Sequence, residues 1–309
     1  MDSSTSTRKM PRDSGKSTKP KTPLRFAIHQ LLGGAEKVFS PKQEVLVSFL
    51  YQNYQKVAFM TITELAKETK VSEATIVRLA NLLGFDGYPS FQKVVQKIVT
   101  QELTSPERLR MSLDQHELDE PMRRSLKIDM RNLIRLYQHV TREDVDRAVA
   151  AIVRADRIVV AGYMSSAPLA IYLGLGLTRL GRKVTTYTED SVPAKRAVFD
   201  LTSKDVLVGF AFPRYPIALL NLMKIASSRG IPRLGFTDGT ASPLARFADP
   251  CVFLPFELLA VVDSLAAPIS FLSGLIAEVV KRESKRTARG LEEFELFVTE
   301  FNLLYKEGS

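Results

Sequence analysis

The sequence predicts two domains of different class, an all-α helix-turn-helix domain followed by an α/β three-layer domain built on a parallel sheet. Three observations carry this prediction. Residues 60–85, MTITELAKETKVSEATIVRLANLLGF, read as two short amphipathic helices joined by a tight turn. From Arg157 onward, short apolar runs alternate with helix-length segments, as expected of strands covered by helices on both faces. Between these regions, residues 106–120 are polar and charged, the composition of a linker with helical tendency. The division expected is a disordered basic tail over 1–23, a helix-turn-helix domain over 24–104, a linker over 105–124, and an α/β domain with C-terminal helices over 125–309.

Composition narrows the class further. At 309 residues and 45% hydrophobic, the chain has the size and apolar content of two globular domains. Its one cysteine, Cys251, excludes an internal disulfide framework and fits a reducing cytoplasm. The net charge of +9 invites a nucleic-acid partner, but residues 1–24 carry six Lys/Arg against two Asp, and Lys281 to Arg289 five against one Glu. Nearly all the excess therefore lies outside the helix-turn-helix, so DNA affinity is expected to depend on dimerisation and the tail and to be salt-sensitive. No continuous apolar core follows the N-terminal basic residues, so no secretory signal is expected. The longest apolar run, Leu258 to Val280, is interrupted by Asp263, Pro268 and three serines, which favours a buried helix or helix pair over a membrane span.

In chain order, residues 1–23 form a Ser/Thr/Lys/Pro-rich arm that either touches DNA phosphates or merely solubilises. Ser40-Pro41-Lys42-Gln43 is a capping box with proline at the first helical position, opening a helix with Val45, Leu46, Phe49 and Leu50 inward. Thr61 and Glu64 form a second capping box, and Ile62, Leu65 and Ala66 face inward. Lys70-Val71 makes the turn and Ser72 caps the next helix. There Ile76, Leu79, Ala80 and Leu83 recur at i, i+3, i+4 and i+7, and Gly84-Phe85 forms a Schellman-type stop. Ser90 is expected to cap a helix bearing Phe91, Val94, Val95 and Ile98. Helices over 121–139, with Leu126, Met130, Leu133, Ile134 and Tyr137 inward, and from Thr141, with Val145, Ala148, Val149 and Ile152 inward, lead into the α/β alternation. Strands are expected at 157–162, 183–187, 206–212, 233–236 and 251–254, and helices from 258 to 305 cover the sheet or build an interface.

The outer face of the second helix of the motif is small and hydrogen-bonding at its N-terminal end, which suits a major groove about 12 Å wide. Lys70, Ser72, Glu73, Thr75, Arg78 and Asn81 are the candidate DNA-binding residues. Arg78 would read a guanine edge or hold a phosphate; a plain solvated face is the alternative. In open α/β sheets, ligands collect at the carboxyl ends of the strands. That position here is Gly162-Tyr163-Met164-Ser165-Ser166-Ala167, whose hydroxyls would hold a phosphate or carboxylate, or simply cap the helix.

The segment Phe39 to Val99, with its phrase VSEATIVRLANLLGFDGYPSF, resembles the N-terminal domain of the RpiR family of bacterial transcription regulators. Residues 155–255 resemble a sugar isomerase (SIS) domain in the Gly-x-x-Ser-Ser turn, the Leu-Gly-Arg-Lys-Val step and the FTDGTASPLA phrase from Phe236. Together these resemblances imply a DNA-binding, ligand-responsive regulator whose second half senses a sugar phosphate or sugar acid. Three positions depart from the family pattern. Lys70 occupies a turn position often held by glycine, at a cost on the order of 1 kcal/mol if left-handed. Met164 stands where the first SIS loop often has glycine. The second loop, commonly Ser-x-Ser-Gly-x-Thr, here reads Ala211-Phe212-Pro213-Arg214-Tyr215-Pro216. Gly162, Ser165, Ser166, Arg214 and Tyr215 are accordingly the candidate ligand residues, with Arg214 giving a charge-assisted contact or, alternatively, a salt bridge between domains or subunits.

The competing function is a sugar-phosphate isomerase with an accessory domain. It needs a positioned acid/base, yet His29, His116 and His139 all precede the α/β alternation and Glu189 is the nearest carboxylate candidate, following the second strand. No His/Cys/Asp spacing supports a metal, and no cofactor is implied. The expected partners are double-stranded DNA, an anionic carbohydrate-type effector and a second copy of the chain in a homodimer or homotetramer, with no membrane.

Overall fold

The computed structural model describes residues 39–102, 104–114, 119–259 and 262–305. It divides into two compact units, one ending at Thr100 and the other beginning at Gln101. The expected basic arm over 1–23 lies outside the described residues.

In the first unit, α1 (Pro41–Val57), α2 (Ile62–Thr69), α3 (Glu73–Leu82) and α4 (Gly87–Glu102) enclose a small apolar core. The side chain of Gln43 accepts from the Ser40 N–H at 2.9 Å and fixes the start of α1. Asn53 interrupts the helix with φ −126°, its amide donating to the Phe49 carbonyl at 3.1 Å. The buried face of α1 is Leu46, Leu50, Tyr54 and Val57; Val45, expected inside, is half exposed because the stripe follows i, i+4, i+8 and i+11 from Leu46. Thr61 and Glu64 exchange the two bonds of a capping box at α2, Glu64 N–H to Thr61 Oγ1 at 3.2 Å and Thr61 N–H to Glu64 Oε2 at 2.7 Å. At the end of α3, the Phe85 N–H reaches the Ala80 carbonyl and the Gly84 N–H that of Asn81, the paired bonds of a Schellman stop with Gly84 at φ +93°. α4 begins at Gly87, three residues before the expected cap: Ser90 donates to the Gly87 carbonyl inside the first turn. Its buried face is Tyr88, Phe91, Val95 and Val99, with Val94 and Ile98 at the margin.

The second unit begins with three helices, α5 (Ser105–Asp114), α6 (Pro121–His139) and α7 (Arg142–Arg154). Five strands follow, β1 (Ile158–Gly162), β2 (Val184–Tyr187), β3 (Val206–Phe210), β4 (Arg233–Thr237) and β5 (Cys251–Phe253), all parallel in the order β2-β1-β3-β4-β5. The crossovers are α8 (Ala167–Arg179), α9 (Val192–Phe199), α10 (Ile217–Ser228) and a 3₁₀ turn at Pro243–Arg246. Alternate residues of each strand feed two cores. Ile158, Val160, Val206, Val208 and Phe210 join a cluster with Val149, Leu173 and Leu272 on one face. Val159, Ala161 and Leu207 join Val198, Leu219 and Met223 on the other. This is the expected three-layer α/β architecture.

Two expectations fail here. The helices expected from Leu258 are preceded by a small antiparallel ladder, β6 (Leu258–Leu259) with β7 (Val262–Asp263), before α11 (Ala266–Arg282) and α12 (Ser284–Glu300). The face of α6 is also reversed. Ile128, Asn132 and Leu136 are buried, whereas Leu126, Met130, Leu133, Ile134 and Tyr137 are exposed, Tyr137 by 89%. Arg131 and Arg135 both pair with Glu257 and, with Ser264 donating to Asp129, turn the apolar stripe outward. Among the described residues no helix is long and apolar enough to cross a membrane.

Candidate functional site

The turn between α2 and α3 is tight because Lys70 adopts φ 54°, ψ 32°, a left-handed conformation that lets Val71 drop into the core and donate to the Ala66 carbonyl. Lys70 itself is exposed. Ser72 sits at the N-cap of α3 with its hydroxyl 2.9 Å from that of Thr75, so the two form one polar pair at the helix start. Glu73 accepts from the Thr63 hydroxyl at 2.7 Å and ties α3 to α2. Asn81 accepts from the Gly87 N–H at 3.1 Å and ties α3 to α4. Arg78 is exposed on the middle turn, its Nε donating to the Ala74 carbonyl of its own helix at 3.3 Å. The six residues expected to meet DNA thus separate into two that brace the motif, Glu73 and Asn81, and four whose donors remain on the surface.

In the second unit the strand order turns at β1 and β3, the switch point outside whose carboxyl ends a crevice opens in sheets of this order. Both candidate loops start there. Gly162 ends β1, and a Cβ on it would lie 2.6 Å from the Ser166 carbonyl oxygen, so only glycine permits the loop to fold back this closely. Met164 follows with φ 54° and its side chain 73% exposed. Ser165 is exposed, while Ser166 is buried and its N–H donates to the Tyr163 carbonyl. Tyr163 is buried too; among the described residues its hydroxyl has no hydrogen-bond partner, and burial pushes its pKa up to about 12.

After β3, Ala211 and Phe212 are buried, Phe212 stacking on Phe256 at 4.5 Å. Arg214 then adopts φ 68° and is exposed, donating to the Ser105 hydroxyl at 3.0 Å. It makes no ion pair with any described residue of its chain. The Tyr215 hydroxyl donates to Asp238 Oδ1 at 2.8 Å. Burial first, then the Asp238 carboxylate, raise the Tyr215 pKa far above its ordinary value, so the hydroxyl stays protonated and committed to that bond. Thr237 donates to the Ala211 carbonyl and lies 2.6 Å from the Ser242 hydroxyl, joining the second loop to the segment after β4. Sequence reasoning missed Asp238 and Ser105, the partners of Tyr215 and Arg214. Asp238 was visible inside the FTDGTASPLA phrase; Ser105 lay in what read as linker.

The opposite edge of the sheet also holds a cleft, of about 930 Å³, lined by residues that precede β1, β3, β4 and β5 and by helix side chains such as Asp146, Arg147 and Arg282. Several of its charges are paired: Asp146 with Arg142 and Arg282, Arg147 with Asp249, and Asp205 with Arg157. It also lies at the amino ends of the strands, where no crossover helix begins. Among the described residues no group of His, Cys, Asp or Glu is arranged to hold a metal.

A family model described as "Helix-turn-helix domain, rpiR family" matches residues 28–102, and one described as "SIS domain" matches residues 151–277. An uncharacterized HTH-type transcriptional regulator of Haemophilus influenzae is 24% identical over 71% of this chain and 76% of its own. Another, from Clostridium perfringens, is 22% identical over 81% and 93%. Among solved structures, the sugar isomerase domain of an RpiR transcription factor from Sphaerobacter thermophilus matches with TM-score 0.53 at 30% identity, covering 55% of this chain and 95% of that one. The Vibrio vulnificus NanR protein complexed with ManNAc-6P shares the fold over 92% of this chain and all of that one, with TM-score 0.57 at 20% identity. With the helix-turn-helix in the first unit and the five-stranded parallel sheet in the second, the chain belongs to the RpiR family of helix-turn-helix regulators that carry a SIS domain.

Proposed function

We propose that this protein is a cytoplasmic, non-catalytic, ligand-responsive transcription regulator. On this reading α3 enters the major groove of double-stranded DNA, and the carboxyl edge of the sheet senses an anionic carbohydrate metabolite, a sugar phosphate or sugar acid. The observation that carries the sensing half is Arg214, an exposed guanidinium with no carboxylate partner among the described residues of its chain, placed on the loop after β3 at the switch point. The NanR structure, solved with ManNAc-6P, supports this ligand class. On the DNA side, Lys70, Ser72, Thr75 and Arg78 supply the contacts, while Glu73 and Asn81 hold the helix that presents them. Gly162, Ser165 and Ser166 form the second wall of the ligand crevice, and Tyr215 acts through Asp238.

One chain carries one recognition helix, and a palindromic site needs two about 34 Å apart. A homodimer, or a tetramer built from it, therefore belongs to this reading. The outward stripe of Leu126, Met130, Ile134 and Tyr137, repeating every three or four residues on α6, is the surface proposed to pack against a second copy.

The test is selection of bound duplexes from genomic fragments at moderate salt, with sedimentation of the same sample and incubation with common aldose and ketose phosphates. The proposal expects enrichment of particular duplexes by an oligomer, loss of that enrichment in Arg78→Ala, and no turnover. Catalysis at ordinary enzymatic rates, or binding no better than to random duplex, would overturn it.

A further inference from the structure

The helix α5 is packed inside out. Arg108 and Ser112, four residues apart on one face, are 4% and 1% exposed, while Leu109 and Leu113, one position further round the helix, are 41% and 55% exposed. A helix that owed its position to apolar burial would do the reverse. Its first turn is set by Thr104, whose N–H and hydroxyl both reach Glu107 Oε2 at 2.7 Å. Ser105, one turn before Arg108, meets Arg214 of the loop after β3. The inner face of α5 therefore brings a second guanidinium towards the same loop. Burial, followed by the neighbouring charge of Arg214, pulls the Arg108 guanidinium below its ordinary pKa, with Asp263 of β7 opposing.

We infer that α5 is part of the effector site, with Arg108 and Arg214 together clamping one phosphate or carboxylate group, so that the bound anion holds this helix against the sheet edge. An anion bridged by two guanidinia is held from both sides. α4 ends at Glu102 and α5 starts at Ser105, so a two-residue connection joins the clamped helix to the last helix of the DNA-binding unit. Occupancy of the site then changes how firmly that connection is anchored, which gives the ligand a differential hold on two states of the chain. Left-handed Arg214 serves the same geometry. At φ 68° its backbone is turned as glycine would allow, yet the position keeps a side chain that reaches α5.

This inference rests on the effector-site reading above, and one experiment separates the two. The full-length chain is titrated with inorganic phosphate, glucose 6-phosphate and ManNAc-6P by calorimetry, and amide hydrogen exchange over residues 105–114 is followed with and without each compound. The expected result is binding of at least one probe, with exchange in α5 slowed tenfold or more on saturation. Arg214→Ala and Arg108→Gln should each weaken that binding at least tenfold. Should Arg108→Gln fail to fold, slowed exchange of α5 in the wild-type chain still supports the clamp and unchanged exchange still rejects it. If none of the three probes binds the wild-type chain, the effector-site reading falls and the clamp with it. If Arg214→Ala loses binding while Arg108→Gln keeps it and α5 exchange does not respond, the site stands and the clamp alone is wrong.

Discussion

The two edges of the parallel sheet use charge in opposite ways. At the amino edge the two arginines nearest the ends of β1 and β2 are spent on the fold: Arg157 holds Asp205 through two bonds, and Arg182 lies buried with its guanidinium on Glu283 and on the carbonyls of Ile152 and Ala155. At the carboxyl edge, Arg214 after β3 meets, among the described residues, a hydroxyl, that of Ser105, and no carboxylate, and its backbone is left-handed. Pairing fixes a structure, while unpaired charge held by a strained backbone is available to a ligand. A cleft of about 930 Å³ lies at the amino edge, so a search for cavities alone would lead to the end of the sheet where the arginines are paired.

If that contrast is right, substitutions at the amino edge reduce stability and leave ligand binding alone. The largest effect is expected at Arg182. Arg182→Met leaves Glu283 without its main partner and three buried or part-buried carbonyls without their donor, a loss of about 3 kcal/mol or more read by urea unfolding. Phosphate-probe affinity at temperatures where the variant is folded should be unchanged; a parallel loss of binding would break the separation of the two edges.

Asp205 tests the same edge through pH. Burial alone would raise its carboxyl pKa, but Arg157 and the N–H and hydroxyl of Thr202 overcome burial and hold it at about 2. A carboxyl lowered on folding stabilises the protein above its unfolded value, here 3.8, and that contribution fades as pH falls through about 2. Asp205→Asn should therefore cost about 2 kcal/mol near neutral pH, with the gap to wild type closing between pH 4 and pH 2. A gap that stays constant across that range would mean that packing, not the ion pair, is responsible.

Much of this was legible in the sequence where local chemistry decides the outcome. The Thr61–Glu64 box, the Gly84–Phe85 stop and the five strands follow from rules that act within a few residues or one turn, and the structure places them as expected. The conformation at Lys70 was left open by the sequence, which lacks the glycine often found there; the chain makes the left-handed turn without it. What was not legible depends on distant partners. α6 carries a clean apolar stripe that periodicity assigns to the core, but Glu257, over 120 residues away, captures Arg131 and Arg135 and turns the stripe outward. α5 looked like linker because it is polar, and no spacing rule announces that Arg108 will be buried or that Ser105 will meet a loop a hundred residues further on. The bond from Tyr215 to Asp238, which the β3–β4 pairing brings near, is equally beyond any local rule.

The effect with the lowest floor in free energy is the one on which the functional reading depends. For a duplex obtained by genomic selection, the affinity of the wild-type oligomer should be measured with and without a saturating sugar phosphate that binds it, at one fixed salt concentration, beside Arg214→Ala. Coupling between ligand and DNA of the usual size corresponds to a change of about 5-fold to 150-fold in affinity. The account predicts a change in that range for the wild type and none for Arg214→Ala, with both proteins binding the duplex equally well when no sugar phosphate is present. An affinity that the sugar phosphate leaves unaltered in the wild type, or alters equally in both proteins, would contradict it.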